Sequence, residues 1–181
     1  MIIGFGHRRR AGKDTAANFC VTHLRATTKR QLIVKSSFAT KMKDICHDLY
    51  GWAGLQEGQF YEQHPELKEA VIPVLGKSPR QIYIEMGTTV GRAIYPDTWL
   101  QYVLKTHCDF NIIADVRFAN EADAILDAGG KVYRIVNPRV PICNDVADSA
   151  LENYDRWTAT IINDSDMNLF HARVMKEVFN V

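Results

Sequence analysis

Gly12 and Lys13 stand together near the amino terminus, behind three arginines, Arg8, Arg9 and Arg10, and two glycines, Gly4 and Gly6. Cations at this density in a glycine-containing turn suit a polyphosphate. Backbone N–H groups of such a turn, and of a helix that follows it, point at the anion, and the lysine adds a full charge. The spacing matches the phosphate-loop pattern G-x-x-x-x-G-K-[ST] in part. Gly12 and Lys13 fit; His7 stands at the first glycine position with Gly6 one residue early, and Asp14 replaces the hydroxyl residue, with Thr15 after it. Gly6, Arg10, Ala11, Gly12, Lys13, Asp14 and Thr15 are therefore the candidate nucleotide-phosphate residues. The alternative is a strand–turn–helix corner whose lysine is only solvated.

A second chemical group closes the apolar run 110–114, where Asp115 ends a strand pattern. In a parallel α/β sheet the ligand lies beyond the carboxyl ends of the strands, and both the loop and Asp115 fall at such ends. An aspartate there can hold Mg²⁺ or its water shell, or it can cap the helix that follows. Arg117, Asn120 and Glu121 come next. Arg117 is a candidate phosphate clamp through bidentate hydrogen bonds, with an ion pair to Glu121 four residues on as the alternative. The stretch 76–92 and the residues after it form a third cluster. Arg80 and Arg92 could flank a second anion site. Gly87 and Gly91 weaken a helix and permit close approach. Tyr95 and Trp99 could stack on a base or lie in a core.

These groups need a frame, and the periodicity supplies one. Strands are expected at 2–5, 31–35, 110–115, 131–136 and 158–162. Helices are expected at 13–26, 39–50, 65–75, 79–93, 96–107, 116–128 and 167–179. Strands alternating with helices imply a mostly parallel sheet covered on both faces. The polar, proline-containing stretch 137–157 is too long for an ordinary connection and reads as a lid, with Arg134 and Arg139 at its edge. With 181 residues the chain is expected to form a single domain. A net charge of +1 gives no global attraction to nucleic acid or membrane. The four cysteines, Cys20, Cys46, Cys108 and Cys143, show no C-x-x-C pair and read as reduced thiols. Cys46-His47 and His107-Cys108 lack a second ligand pair at zinc spacing. Met1-Ile2-Ile3 leads straight into the loop pattern, which predicts no signal peptide. No apolar stretch approaches the ~20 residues of a bilayer span, so the expectation is a cytoplasmic protein.

Together these stretches resemble the deoxynucleoside monophosphate kinases of tailed bacteriophages, a branch of the phosphate-loop nucleotide kinases. The likeness is carried by Gly4-Phe5-Gly6 through Gly12-Lys13-Asp14-Thr15, by Ser37-Phe38-Ala39 with Lys43, by Pro79-Arg80-Gln81 through Gly87-Thr88, Arg92 and Pro96-Asp97-x-Trp99, and by Asp115-Val116-Arg117-Phe118-x-Asn120-Glu121. It thins after residue 136, where a Ser-x-Glu-type element is only loosely matched by Ser149 and Glu152. The resemblance implies a three-layer phosphate-loop kinase fold with acceptor-binding helices inserted over 38–107 and a short lid. It implies transfer of the γ-phosphoryl group of ATP to a deoxynucleoside 5′-monophosphate, with Mg²⁺, for phage DNA synthesis in the host cytoplasm. Lys13, Arg117 and Asp115 would be catalytic. Arg139 would join the loop in holding ATP. Phe38, Lys43, Arg80, Gln81, Gly87, Thr88, Arg92, Trp99 and Glu121 would hold the acceptor. Asp14, Thr15 and Asp115 would serve the metal, unless Asp14 pairs instead with Arg8, Arg9 or Arg10. A dephospho-coenzyme A-like acceptor, or nucleotide binding without catalysis, are the competing readings. The expected partners are small-molecule nucleotides, and the sequence leaves a homodimer open. No general base is needed, because the attacking phosphate oxygen, with a second pKa of about 6, is already ionised at neutral pH.

Overall fold

Period-2 and continuous apolar runs become five parallel strands in the computed structural model, which describes residues 1–141 and 149–181. The strands are β1 (Ile2–Gly6), β2 (Ile33–Ser36), β3 (Phe110–Val116), β4 (Lys131–Val136) and β5 (Ala159–Ile162), in spatial order β2-β3-β1-β4-β5. Gly6 pairs with Val116 on one side and with Arg134 on the other. Two compact units divide the chain: residues Met1–Ser37 with Leu104–Val181, and residues Phe38–Val103.

The first unit holds the sheet. Its two faces are covered by different helices, and the alternation along the strands decides which. Ile3, Phe5, Ile112, Ala114, Tyr133, Ile135 and Ile161 form one core with α1 (Lys13–Thr27) and the carboxyl-terminal helix Met167–Phe179. On the opposite face a Cβ added at Gly4 would lie 2.8 Å from Ile125 of the helix Ala119–Asp127, so that helix packs on the other side. This is a three-layer α/β arrangement with an all-parallel sheet, consistent with a P-loop kinase-like fold. From β1 the chain leaves through α1 toward β2. From β3, the strand beside β1, it leaves over the opposite face toward β4. Neighbouring strands whose connections depart in opposite directions open a crevice at their carboxyl ends.

One buried group in this core has no partner: the Tyr133 hydroxyl makes no hydrogen bond among the described residues. Burial pushes its pKa up to about 12. Tyr133→Phe removes a desolvated hydroxyl, so thermal unfolding should show no loss of stability and a gain of up to about 1 kcal/mol.

The second unit is helical. It contains α2 (Thr40–Tyr50), α3 (Gly58–Gln63), α4 (Pro79–Ile84), α5 (Gly91–Ile94) and most of α6 (Thr98–Leu104), around a core of Met42, Cys46, Leu55, Tyr61, Ile72, Ile82 and Tyr83. Continuing in chain order, Ala119–Asp127 is α7 and Met167–Phe179 is α8. The start of α4 follows its sequence signal: the Gln81 N–H donates to Ser78 Oγ at 3.3 Å, and Gln81 Oε1 accepts from the Ser78 N–H at 2.9 Å. The helix expected over 65–75 is instead a 3₁₀ turn, Pro65–Glu69, followed by a reversal closed by a bridge between Ile72 and Lys77. Pro73 lies inside that reversal and has no N–H to extend a helix. The helix expected over 79–93 is interrupted by a π turn at Glu85–Val90 that contains Gly87. No helix of the described residues is long and apolar enough to cross a membrane.

Candidate functional site

The loop between β1 and α1 turns through three left-handed residues. His7, Arg10 and Gly12 take φ of +95°, +58° and +106°. Such values favour glycine, and a residue with a Cβ held there costs about 1–3 kcal/mol. His7 thus occupies the first glycine position of the pattern and keeps a glycine-like backbone there. At Gly12 the conformation and the space agree, because an added Cβ would meet Asn163 Nδ2 at 2.6 Å. That amide donates to the Ala11 carbonyl at 2.9 Å, tying the loop to the exit of β5. Lys13 is only 6% exposed, and its Nζ donates to the Arg8 carbonyl, so the ammonium folds back across the loop. Arg10 is exposed.

Asp14, one residue further, meets Lys35 of β2 at 3.0 Å, and Lys35 also donates to Asn18 at 3.0 Å. The cation beside Asp14 is therefore on β2, where the sequence had suggested a loop arginine. Asp115 lies one residue before Val116, the partner of Gly6, on the strand next to β1. Ser37, just past β2, donates to Asp115 Oδ2 at 2.6 Å. Loop and aspartate thus flank the crevice between β1 and β3.

Asp115 is not the cap of α7. The backbone N–H groups of Arg117 and Phe118 donate to Glu121 Oε2 at 2.8 and 3.1 Å, and Glu121 is 5% exposed. Glu121, expected among the acceptor-binding residues, here holds the turn that carries Arg117. Glu121→Ala orphans two N–H groups and should lower stability by about 2 kcal/mol in denaturant unfolding.

Arg139 reaches back from the end of β4: its guanidinium donates to the carbonyls of Asp164 and Ser165, and its N–H donates to Asn137 Oδ1 at 3.0 Å. Cys143 and the 142–148 part of the expected lid lie outside the described residues.

In the helical unit, Lys43 pairs with Glu62 at 2.9 Å, and Arg80 pairs with Glu69. Phe38 is buried. The Thr88 hydroxyl donates to the Ile84 carbonyl at 2.6 Å inside the π turn. The Trp99 indole donates to the Gly87 carbonyl at 3.0 Å, and its ring carbon Cζ2 would lie 2.5 Å from a Cβ at Gly91. What approaches Gly91 closely is thus the chain's own indole. Arg92 is half-buried on α5.

No group of three or more His, Cys, Asp or Glu that could hold a metal is found among the described residues. His47 bonds to the Leu55 carbonyl at 2.9 Å, and burial pushes the Cys46 thiol up to about 11. Mg²⁺ needs less from a protein: one or two oxygen ligands suffice where phosphates and waters complete the octahedron. The acidic and hydroxyl groups at Asp115 and Thr15 fit that demand.

Several partners of the loop lie far along the chain. Asn163 pins Ala11, Glu152 bonds Arg8, and Trp157 lies 2.8 Å from a Cβ placed at Gly6. Only a polar residue just past an apolar strand, as at Asn163, carries any local signal.

No protein-family model matches the sequence. The chain is 23% identical over 198 residues to a protein of Acanthamoeba polyphaga mimivirus named "Putative deoxynucleotide monophosphate kinase", in an alignment that covers 99% of this chain and 97% of that protein.

Proposed function

We propose, from that likeness and from the crevice between β1 and β3, that the chain is a nucleotide kinase that moves the γ-phosphoryl group of ATP to a deoxynucleoside 5′-monophosphate, giving dNDP and ADP. The observation that carries the reading is the pairing of Gly6 with Val116, which sets a glycine-like phosphate loop beside a strand-end carboxylate at the point where the connections diverge. A nucleotide kinase in general is what the viral relative's name supports. The deoxynucleotide acceptor, the place in nucleotide supply for phage DNA synthesis and the location in the host cytoplasm belong to the same proposal.

Phosphoryl transfer asks little covalent chemistry of the protein. Two anions must be brought together and the charge in transfer stabilised, which calls for fixed cations and backbone dipoles. The N–H groups of residues 10–15 and the ammonium of Lys13 hold the ATP phosphates. Thr15 and Asp115 would hold Mg²⁺, which would supply positive charge to offset the negative charge of the phosphates. Arg117, steadied by Glu121, contacts the transferred group. Arg139 holds the nucleotide at the exit of β4. Phe38, Lys43, Arg80, Gln81, Gly87, Thr88, Arg92 and Trp99 are proposed to receive the acceptor.

The test is ADP formation with ATP, Mg²⁺ and a panel of deoxy- and ribonucleoside monophosphates and dephospho-coenzyme A. Turnover that requires a dNMP is the expected result. ATP binding with no acceptor-dependent turnover contradicts the kinase reading, and turnover with dephospho-coenzyme A alone contradicts the acceptor.

A further inference from the structure

The rim of the phosphate loop carries an ion cluster that the reaction above does not use. Arg8 Nε and NH2 both donate to Glu152 Oε2, at 3.2 and 2.7 Å. The same oxygen lies 3.4 Å from His7 Nε2, and Oε1 lies 3.7 Å from Arg134. Arg134 in turn meets His7 Nε2 at 3.0 Å. Burial, with Arg134 beside it, pushes His7 below its ordinary pKa and keeps it neutral at neutral pH, while the hydrogen bond from Arg8 holds Glu152 low and ionised. Two guanidinium groups against one carboxylate leave the cluster with an excess of one positive charge beside an anion site.

Glu152 sits on a segment that is held firmly. Leu151 is 1% exposed. The Tyr154 hydroxyl and the Arg156 guanidinium donate to Asp123 of α7 at 2.8 and 2.6 Å. The Trp157 ring closes on Gly6, where an added Cβ would lie 2.8 Å away. A carboxylate on such a support can fix the orientation of its partner. Arg8 is held at its other end as well, where its carbonyl accepts from Lys13 Nζ. Two of its five guanidinium N–H donors go to Glu152, which leaves three.

We propose that Arg8 is a phosphoryl-contacting cation of the loop and that Glu152 is its positioning residue, aiming the three remaining N–H donors at the polyphosphate beside Lys13. The inference rests on reading the loop as a polyphosphate site. It also separates the loop arginines by role: the Arg8 guanidinium is held by Glu152 and its carbonyl by Lys13, while Arg10 is exposed. A guanidinium whose rotamer is already fixed loses less freedom when an anion arrives, so the effect belongs in binding and in the transfer step alike.

A double-mutant cycle on the full chain tests this, with MgATP and inorganic tripolyphosphate as ligands in calorimetric titrations. Arg8→Gln and Glu152→Gln should each weaken both ligands about tenfold, the usual cost of losing a partner that orients a liganding group. The double variant should be no weaker than Arg8→Gln alone, and Glu152→Asp should recover most of the loss. A merely structural Glu152 would lower the melting temperature and leave both affinities alone. Affinities of Glu152→Gln within twofold of the parent, or single effects that multiply in the double variant, overturn the proposal. Should Glu152→Gln fail to fold, Arg8→Gln decides, and parental MgATP affinity in that variant overturns it. If the parent binds neither MgATP nor tripolyphosphate, the loop reading itself fails and takes this inference with it.

Discussion

Lys13→Ala is expected, on the proposed reaction, to lower turnover by more than about a thousandfold, because a buried ammonium would be lost where phosphoryl charge develops. Steady-state kinetics and a melting curve on the same preparation measure this. The fold is expected to survive. The Lys13 ammonium bonds to the Arg8 carbonyl, and the hydrophobic contacts of α1 come from Ala16, Ala17, Cys20, Val21 and Leu24. The α1 packing is untouched by the substitution, so the melting curve should remain a single cooperative transition. The loss should appear mainly in kcat, with a smaller loss of MgATP affinity, because the added charge moves to the bridging oxygen only during transfer. Near-parental turnover with a normal melting curve would show that the loop is not where the phosphates lie.

Gly12→Ala is expected to damage both stability and binding. The residue sits at φ +106°, and the new Cβ would press on Asn163 Nδ2 at 2.6 Å and on Phe170 at 3.3 Å. Backbone strain and a displaced Asn163 amide together cost about 2–4 kcal/mol. At this chain length that is a melting point lower by roughly 5–15 °C. Gly54→Ala is the control, because Gly54 has φ +100° and nothing within 4 Å of an added Cβ. It carries the strain without the clash, so its melting point should fall less and its MgATP affinity should stay at the parental value. Equal losses of MgATP affinity in the two variants would contradict the role given to Asn163 and Ala11.

What was legible in the sequence is what is local. The turn from β1 into α1, the box at Ser78 and Gln81, and the stop at Gly129-Gly130 are each written in adjacent residues, and the structure has them. The alternation of strands with helices fixed a parallel sheet, and the sheet is parallel throughout. Asp115 was legible as a strand-end carboxylate, while its neighbour on β1 follows only from strand order. The failures have equally physical causes. Arg117 reads as a phosphate clamp or as an ion-pair partner of Glu121, and neither reading shows that the glutamate accepts the N–H groups of Arg117 and Phe118 at the start of α7. Asp14 reads as a metal residue or as a partner for a loop arginine, and the cation found beside it is Lys35 of β2, which no local spacing indicates. The π turn at 85–90 has no sequence signature beyond Gly87. Glu152, Trp157 and Asn163 act on a loop more than 140 residues away, and beyond the polar residue after β5 and the loose match at Ser149 and Glu152 nothing local announces it.

Amide shifts of ¹⁵N-labelled protein on titration with MgATP locate the ligand directly. The expected pattern is a set of large shifts at Ala11, Gly12, Lys13, Asp14 and Thr15, with further shifts at Asp115 and Arg117 across the crevice. Shifts gathered instead around Ile2, Thr106, Cys108 and Gly129, which line a cavity of about 260 Å³ at the amino-terminal end of the sheet, would contradict it.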